Sequence, residues 1–287
     1  MSWIEKGILA GIDRIIFEHL KGDEIGKPPH YDKTSFCRSL TDPSLQDLDV
    51  LDLIKRINAQ IVLNCGKLSP ARSKQNWRWE PKREIAKENK SPEVGLEKAI
   101  VNISPKIWPQ VVDWSNQVPT SSGLLGRYSD RKRSIDLVHR GQDGEYVDYE
   151  FIELKVDSNN PVFAAMEIMV YGMLYILSRD YREEMQYARG LNPLLWARTI
   201  HLQVLAPCAY YDDDRSRLDR FEKTLDEALG DFLRLEKRSF CMSFEFQEFP
   251  KYFDPRVVLK NTGSRDCKII AALRDRKPVY PKMSKRA

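Results

Sequence analysis

The stretch from Pro161 to Leu177 is almost wholly apolar, yet it carries Glu167 inside it, and its uninterrupted part runs only from Ile168 to Leu177. A bilayer needs about 20 such residues. The stretch therefore reads as a helix buried in protein, beginning at Pro161 and continuing to about Tyr181. A chain of 287 residues with 42% apolar content can supply the layers that cover it. Near the N-terminus, Ile4, Ile8, Ile12, Ile15, Ile16 and Leu20 fall at helical spacing, but Glu5, Asp13 and Glu18 break any signal-like apolar core. That segment is expected to be a surface helix. The five cysteines, Cys37, Cys65, Cys208, Cys241 and Cys267, are odd in number and show no C-x-x-C spacing. They argue for a reducing compartment and against a disulfide scaffold, a zinc ribbon or a cysteine-ligated cluster. The expectation is a soluble, cytoplasmic protein with no membrane partner.

Regular elements surround the apolar helix. Ser91-Pro92-Glu93 is a helix start, with serine at the cap, proline at the first helical position and an acid near the positive end of the dipole. That helix should reach about Ile103. Gly123 to Tyr128 is a short strand candidate, and Ser134 to His139 alternates as a strand does. Turn residues fill Arg140 to Gly144, and Glu145 to Val156 alternates again, so the two runs make a hairpin. Beyond the apolar helix come a strand at Thr199 to Ala206, an amphipathic helix at Asp213 to Lys237 and a strand at Ser239 to Phe249. The expected class is α/β, in the order helix, three strands, helix, strand, then an added helix and strand. Residues 1–90 form a mainly helical region with an apolar helix near Leu45 to Leu63. Residues 91–250 form the principal domain. Residues 251–287 form a basic tail: from Arg256 onward there are ten Lys or Arg against two Asp, which suits a solvated end or an arm that grips nucleic acid.

The chemistry concentrates in the hairpin. Glu153 and Lys155 are two apart, so a strand points both to one face. Asp136 stands among Ile135, Leu137 and Val138, where a carboxylate is costly unless it is paired or bound to a cation. The hairpin places it beside Glu153. Two carboxylates held together raise each other's pKa, and a divalent cation reverses that penalty in an all-oxygen site suited to Mg2+ or Mn2+. With a lysine nearby, such a site meets the needs of metal-assisted phosphodiester hydrolysis.

These residues resemble the PD-(D/E)XK, or restriction-endonuclease-like, nuclease superfamily. Asp136 falls on the first acid of its pattern and Glu153-Leu154-Lys155 on its E-x-K, and the stretch from about Ser91 to Ala206 follows the family's αβββαβ order, with a mixed central sheet flanked by helices. The resemblance implies a nuclease acting on DNA, in restriction, repair, recombination or defence. It implies Glu97 on the preceding helix as a further ligand, with Glu93 one turn earlier as a substitute. Glu97, Asp136, Glu153 and the Leu154 carbonyl are then the metal ligands, and Lys155 activates water or stabilises charge. The exonuclease-like branches carry Q-x-x-x-Y on the next helix. Here Glu167 and Tyr171 keep the spacing with Glu for Gln, on one helix face bordering the site. No proline precedes Asp136, since Ser134-Ile135 stands there.

Basic residues nearby suit a polyanion. Arg127, Arg131, Lys132 and Arg133 precede the Asp136 strand, and Trp77-Arg78-Trp79 with Lys82 and Arg83 interleaves aromatic with basic residues. The tryptophans read either as base-stacking groups or as core anchors. His19, His30, His139 and His201 are isolated, and there is no phosphate-binding glycine loop. Two rival readings remain: a non-catalytic scaffold binding nucleic acid or a protein, and a nuclease directed at RNA. A homodimer is a further expectation, carried by the resemblance.

Overall fold

The computed structural model describes residues 7–20, 48–66, 76–84, 91–123, 133–143, 146–156, 160–212, 215–261 and 263–281. It is an α/β fold around one open mixed sheet of six strands. The helices and strands are, in chain order, α1 (Ile12–His19), α2 (Val50–Gly66), α3 (Pro92–Val101), β1 (Trp114–Pro119), β2 (Ser134–Asp143), β3 (Tyr146–Leu154), α4 (Pro161–Asp180), β4 (Thr199–Pro207), α5 (Arg215–Leu235), β5 (Cys241–Phe249), α6 (Pro255–Lys260), α7 (Arg265–Arg274) and β6 (Lys277–Pro278). The strands lie side by side in that same order. β2 runs antiparallel to both β1 and β3, β3, β4 and β5 are parallel, and β6 returns antiparallel along β5. The parallel pairs need crossovers, which α4 and α5 supply.

Alternation along the strands gives each sheet face its own core. On one side Val138, Phe151, Leu202, Val204 and Phe246 pack against α2, α4 and α5. On the other, Leu137, Ile152, Leu154, Leu205 and Phe249 join Leu96 and Ile100 of α3 and Ile269 and Leu273 of α7. α4 is apolar all round because it is covered all round: by length and composition it could cross a membrane, but 89% of its most apolar window is buried inside the protein. The Asn160 side chain caps it, accepting from Val162 N and Phe163 N, with Pro161 at the first helical position. Gly172 lets it sit close on the sheet, since a Cβ there would come within 2.9 Å of Leu202 Cδ1.

Three expectations change. The first described strand is Trp114–Pro119, where the sequence showed no element; of the Gly123 to Tyr128 candidate only Gly123 is described, in the 3-10 turn Ser121–Gly123, and the rest lies outside the described residues. The basic C-terminal segment is folded through residue 278: α6 and α7 bury Val258, Ile269, Ala272 and Leu273 against α3 and the sheet, so this apolar stripe outweighs the charge count. Its last residues, 282–287, are outside the described set. At the N-terminus the helix starts only at Ile12, after Gly11 at φ 80°, so it is shorter than the apolar spacing suggested; it buries Ile12 and Phe17 and leaves Arg14 72% exposed, as a surface helix does.

Candidate active site

β2 and β3 pair with Leu137 opposite Ile152, so Asp136 and Glu153 meet at the end of the hairpin remote from its turn. The backbone N–H of Leu154 donates to Asp136 Oδ2 at 2.9 Å. One residue on, the Lys155 N–H donates to Leu205 O at 3.0 Å, so β4 still holds the chain where the lysine emerges. Glu153 and Lys155 point to the α4 face, as their spacing requires. Lys155 Nζ donates to Glu153 Oε1 at 2.5 Å and lies 3.5 Å from Glu167 Oε2 on α4. Glu153 and Lys155 are buried, whereas Asp136 and Glu167 are half-buried, so the cluster opens toward solvent on their side. Tyr171 donates to Glu167 Oε1 at 3.2 Å and is itself buried. It therefore steadies Glu167.

Glu97 arrives from α3. It is 1% exposed, and its Oε2 accepts from Gln117 Nε2 at 2.5 Å. Burial pushes its pKa up to about 8, and the negative charges of Glu153 and Glu93 add to the rise, against the opposing hydrogen bond from Gln117. Asp136 is held well above the usual carboxylate range, first by burial and then by Glu97. Glu153 is raised likewise, by burial, Asp136 and Glu167. Burial also acts upward on Glu167, but Lys155 and Arg133 overcome it and hold its pKa down. On Lys155 burial acts downward and is overcome by Glu153, Glu167 and Asp136, so its pKa is raised. The site is thus an acid cluster with too much negative charge for one lysine. Glu93 borders the cluster one turn before Glu97: its Oε2 accepts from Ser91 Oγ at 2.7 Å and its Oε1 from the backbone N–H of Val156, next to Lys155, at 3.4 Å.

Among the described residues, no three His, Cys, Asp or Glu side chains form a group that could hold a metal ion as they stand. The donor chemistry still suits a hard divalent cation. All candidate ligands are oxygens, the three acids repel one another, and Glu153 Oε2 is buried with no hydrogen-bond partner. Lys155 supplies the positive charge on Glu153 Oε1.

Arg127, Arg131 and Lys132 lie outside the described residues. Arg133 is described, and its charge acts on Glu167 and Tyr171. The segment 76–84 runs along β1: Trp77 N donates to Pro119 O at 2.7 Å, and Lys82 N to Asn116 Oδ1 at 2.7 Å. Together they border an open cleft of about 490 Å³ whose lining includes Arg78, Lys82, Arg83, Glu80, Glu84 and Pro119. Asn116, which holds the Lys82 backbone, adjoins Gln117, the partner of Glu97, which sets the cleft beside the acid cluster. Trp77 is fully buried, stacked on Phe151 at 6.1 Å and edge-on to Tyr175 at 5.7 Å, so of the two sequence readings it is the core anchor. Trp79 is half-buried against Tyr149.

Two further residues reach the cluster. Gln117 holds Glu97, as above. Tyr210, in the turn after β4, has a buried hydroxyl without a partner and lies within electrostatic reach of Lys155, Glu153, Glu93 and Glu167. A glutamine in a short strand and a tyrosine in a turn carry no spacing signal by which the sequence could flag them.

No family model, no curated protein and no solved structure matches the chain.

Proposed function

We propose that this chain is a Mg2+- or Mn2+-dependent nuclease that hydrolyses phosphodiester bonds in DNA, built on a restriction-endonuclease-like core. One observation carries the reading: Glu153 and Lys155, buried at the end of β3, share a charge cluster with Asp136 of the neighbouring strand and Glu97 of α3. Burying these acids together is unfavourable for a fold that makes no use of them. The element order from α3 through β4 and the all-oxygen donor set support the same reading.

In this reading Glu97, Asp136, Glu153 and the Leu154 carbonyl hold the cation. When bound, it polarises the phosphate and lowers the pKa of a water. Lys155 sits among three acids that keep its ammonium protonated, so it stabilises charge on the phosphate and does not take a proton from water. Tyr171 and Arg133 hold Glu167, which keeps the lysine in place. Arg78, Lys82 and Arg83 offer phosphate contacts beside the cluster.

The test is cleavage of plasmid DNA, linear DNA and a matched RNA with Mg2+ and with Mn2+, beside folded Asp136→Ala and Lys155→Ala proteins. Cleavage by the wild type and its loss in both variants is the expected outcome. Nicked plasmid against shortened linear ends distinguishes internal from terminal cutting, and cleavage of RNA alone would replace the DNA assignment. An intact substrate in every lane, with nucleic acid still bound, overturns the reading in favour of a non-catalytic binding protein.

A further inference from the structure

Gln117 has a backbone that an ordinary strand residue does not adopt. Its φ is 49°, in the left-handed region that a non-glycine residue enters only at a cost. It lies in mid-strand: Asn116 pairs with Leu137 and Val118 with Ile135, so the register sets Gln117 opposite Asp136. In a regular antiparallel pair its side chain would stand on the same face as that of Asp136. Instead the amide engages α3, donating from Nε2 to Glu97 Oε2 at 2.5 Å. The Ser134 hydroxyl donates to Gln117 Oε1 at 3.1 Å, which turns Nε2 toward the glutamate. Both ends of the amide are thus used, and one end holds a carboxylate that is 1% exposed.

We infer that Gln117 is a positioning residue that fixes the Glu97 carboxylate toward the acid cluster of Asp136 and Glu153, and that its strained backbone is retained for this purpose. The inference rests on the proposed cation site. α3 packs mainly on the face opposite α4, so Glu97 must be directed to the seam at β1 and β2 to act with the hairpin acids. A single donated hydrogen bond restricts the rotamer of a ligand carboxylate and its charge at once, as outer-shell partners of metal ligands do.

The experiment is calorimetric titration of the full chain with Mn2+, comparing wild type, Gln117→Gly and Gln117→Leu, with melting temperatures recorded for each. Glycine accepts φ 49° without strain, which offsets part of the cost of leaving buried Glu97 without its donor, so Gln117→Gly is expected to fold. If Gln117 positions Glu97, that folded variant binds Mn2+ about 10- to 100-fold more weakly. Gln117→Leu keeps the bulk without the amide and should show the same loss. Wild-type binding with unchanged affinity in Gln117→Gly overturns the inference and leaves the cation site standing. A wild type that binds no Mn2+ overturns the site and the inference together.

Discussion

Lys155 Nζ lies 2.5 Å from Glu153 Oε1, and the two side chains, 8% and 4% exposed, are buried together between the sheet and α4. Removing one member of such a pair leaves the other charge buried alone. Lys155→Met is expected to lose about 3 to 5 kcal/mol of stability at pH 8, measured by urea unfolding. The loss should shrink toward pH 5, because Glu153 without its lysine takes up a proton in the folded state. An equal loss at both pH values would show that Glu153 stays ionised without its partner.

Glu97 sets a second pH dependence. Its folded pKa of about 8 is above its unfolded value, so the folded state binds the extra proton. Stability from this group is fully present below about pH 4.5 and is lost as pH rises toward 8, at up to roughly 1.4 kcal/mol per unit. Glu97→Gln cannot ionise and should flatten that slope. Urea midpoints at pH 5, 7 and 9 for the two proteins measure the difference.

At Glu150 the sign reverses. Burial alone would raise the Glu150 pKa, but the hydrogen bond from His139 and the Arg276 guanidinium hold it down at about 2. Its stabilisation is present above about pH 4.5 and disappears as pH falls toward 2. Arg276 Nη2 donates to Glu150 Oε2 at 2.5 Å and its guanidinium sits over the Trp114 ring at 5.2 Å. Arg276→Gln should cost about 2 kcal/mol at pH 7. The gap to wild type should narrow in thermal melts near pH 2.

Trp77 is 0% exposed, so its truncation opens a cavity between β3 and α4. Trp77→Ala should cost about 3 to 5 kcal/mol. Nucleic-acid affinity of the folded variant should match wild type, because a buried indole offers no face to a base. A selective loss of affinity without destabilisation would contradict this placement.

The sequence made the hairpin and α4 legible because their signals are local. Alternation put Glu153 and Lys155 on one shared side of β3, and an all-apolar helix has one destination in a compact protein. β1 was missed because Trp114 to Pro119 lacks alternating branched residues and ends in proline, a pattern allowed on an edge strand but indistinct from a loop. The C-terminal segment was misread because charge was counted over 32 residues while Ile269, Ile270 and Leu273 kept a helical stripe among the lysines and arginines. In the acid cluster, Asp136, Glu153 and Lys155 could be placed from strand spacing. The grip of Gln117 on Glu97 depends on one backbone angle and on packing between distant elements, which no local pattern encodes.

The seating of α3 has a consequence for the newborn chain. By the time residue 171 is made, all the acids of the cluster, Lys155 and Tyr171 have been synthesised. The helix that brings Glu97 to it, however, is clamped by α6 and α7, spanning residues 255–274. A ribosome must therefore travel more than 80 further residues before the apolar side of α3 can be closed. Chains that stop before residue 274 carry the acids without the packing that aims them, so the cluster is completed only after both clamping helices have been made.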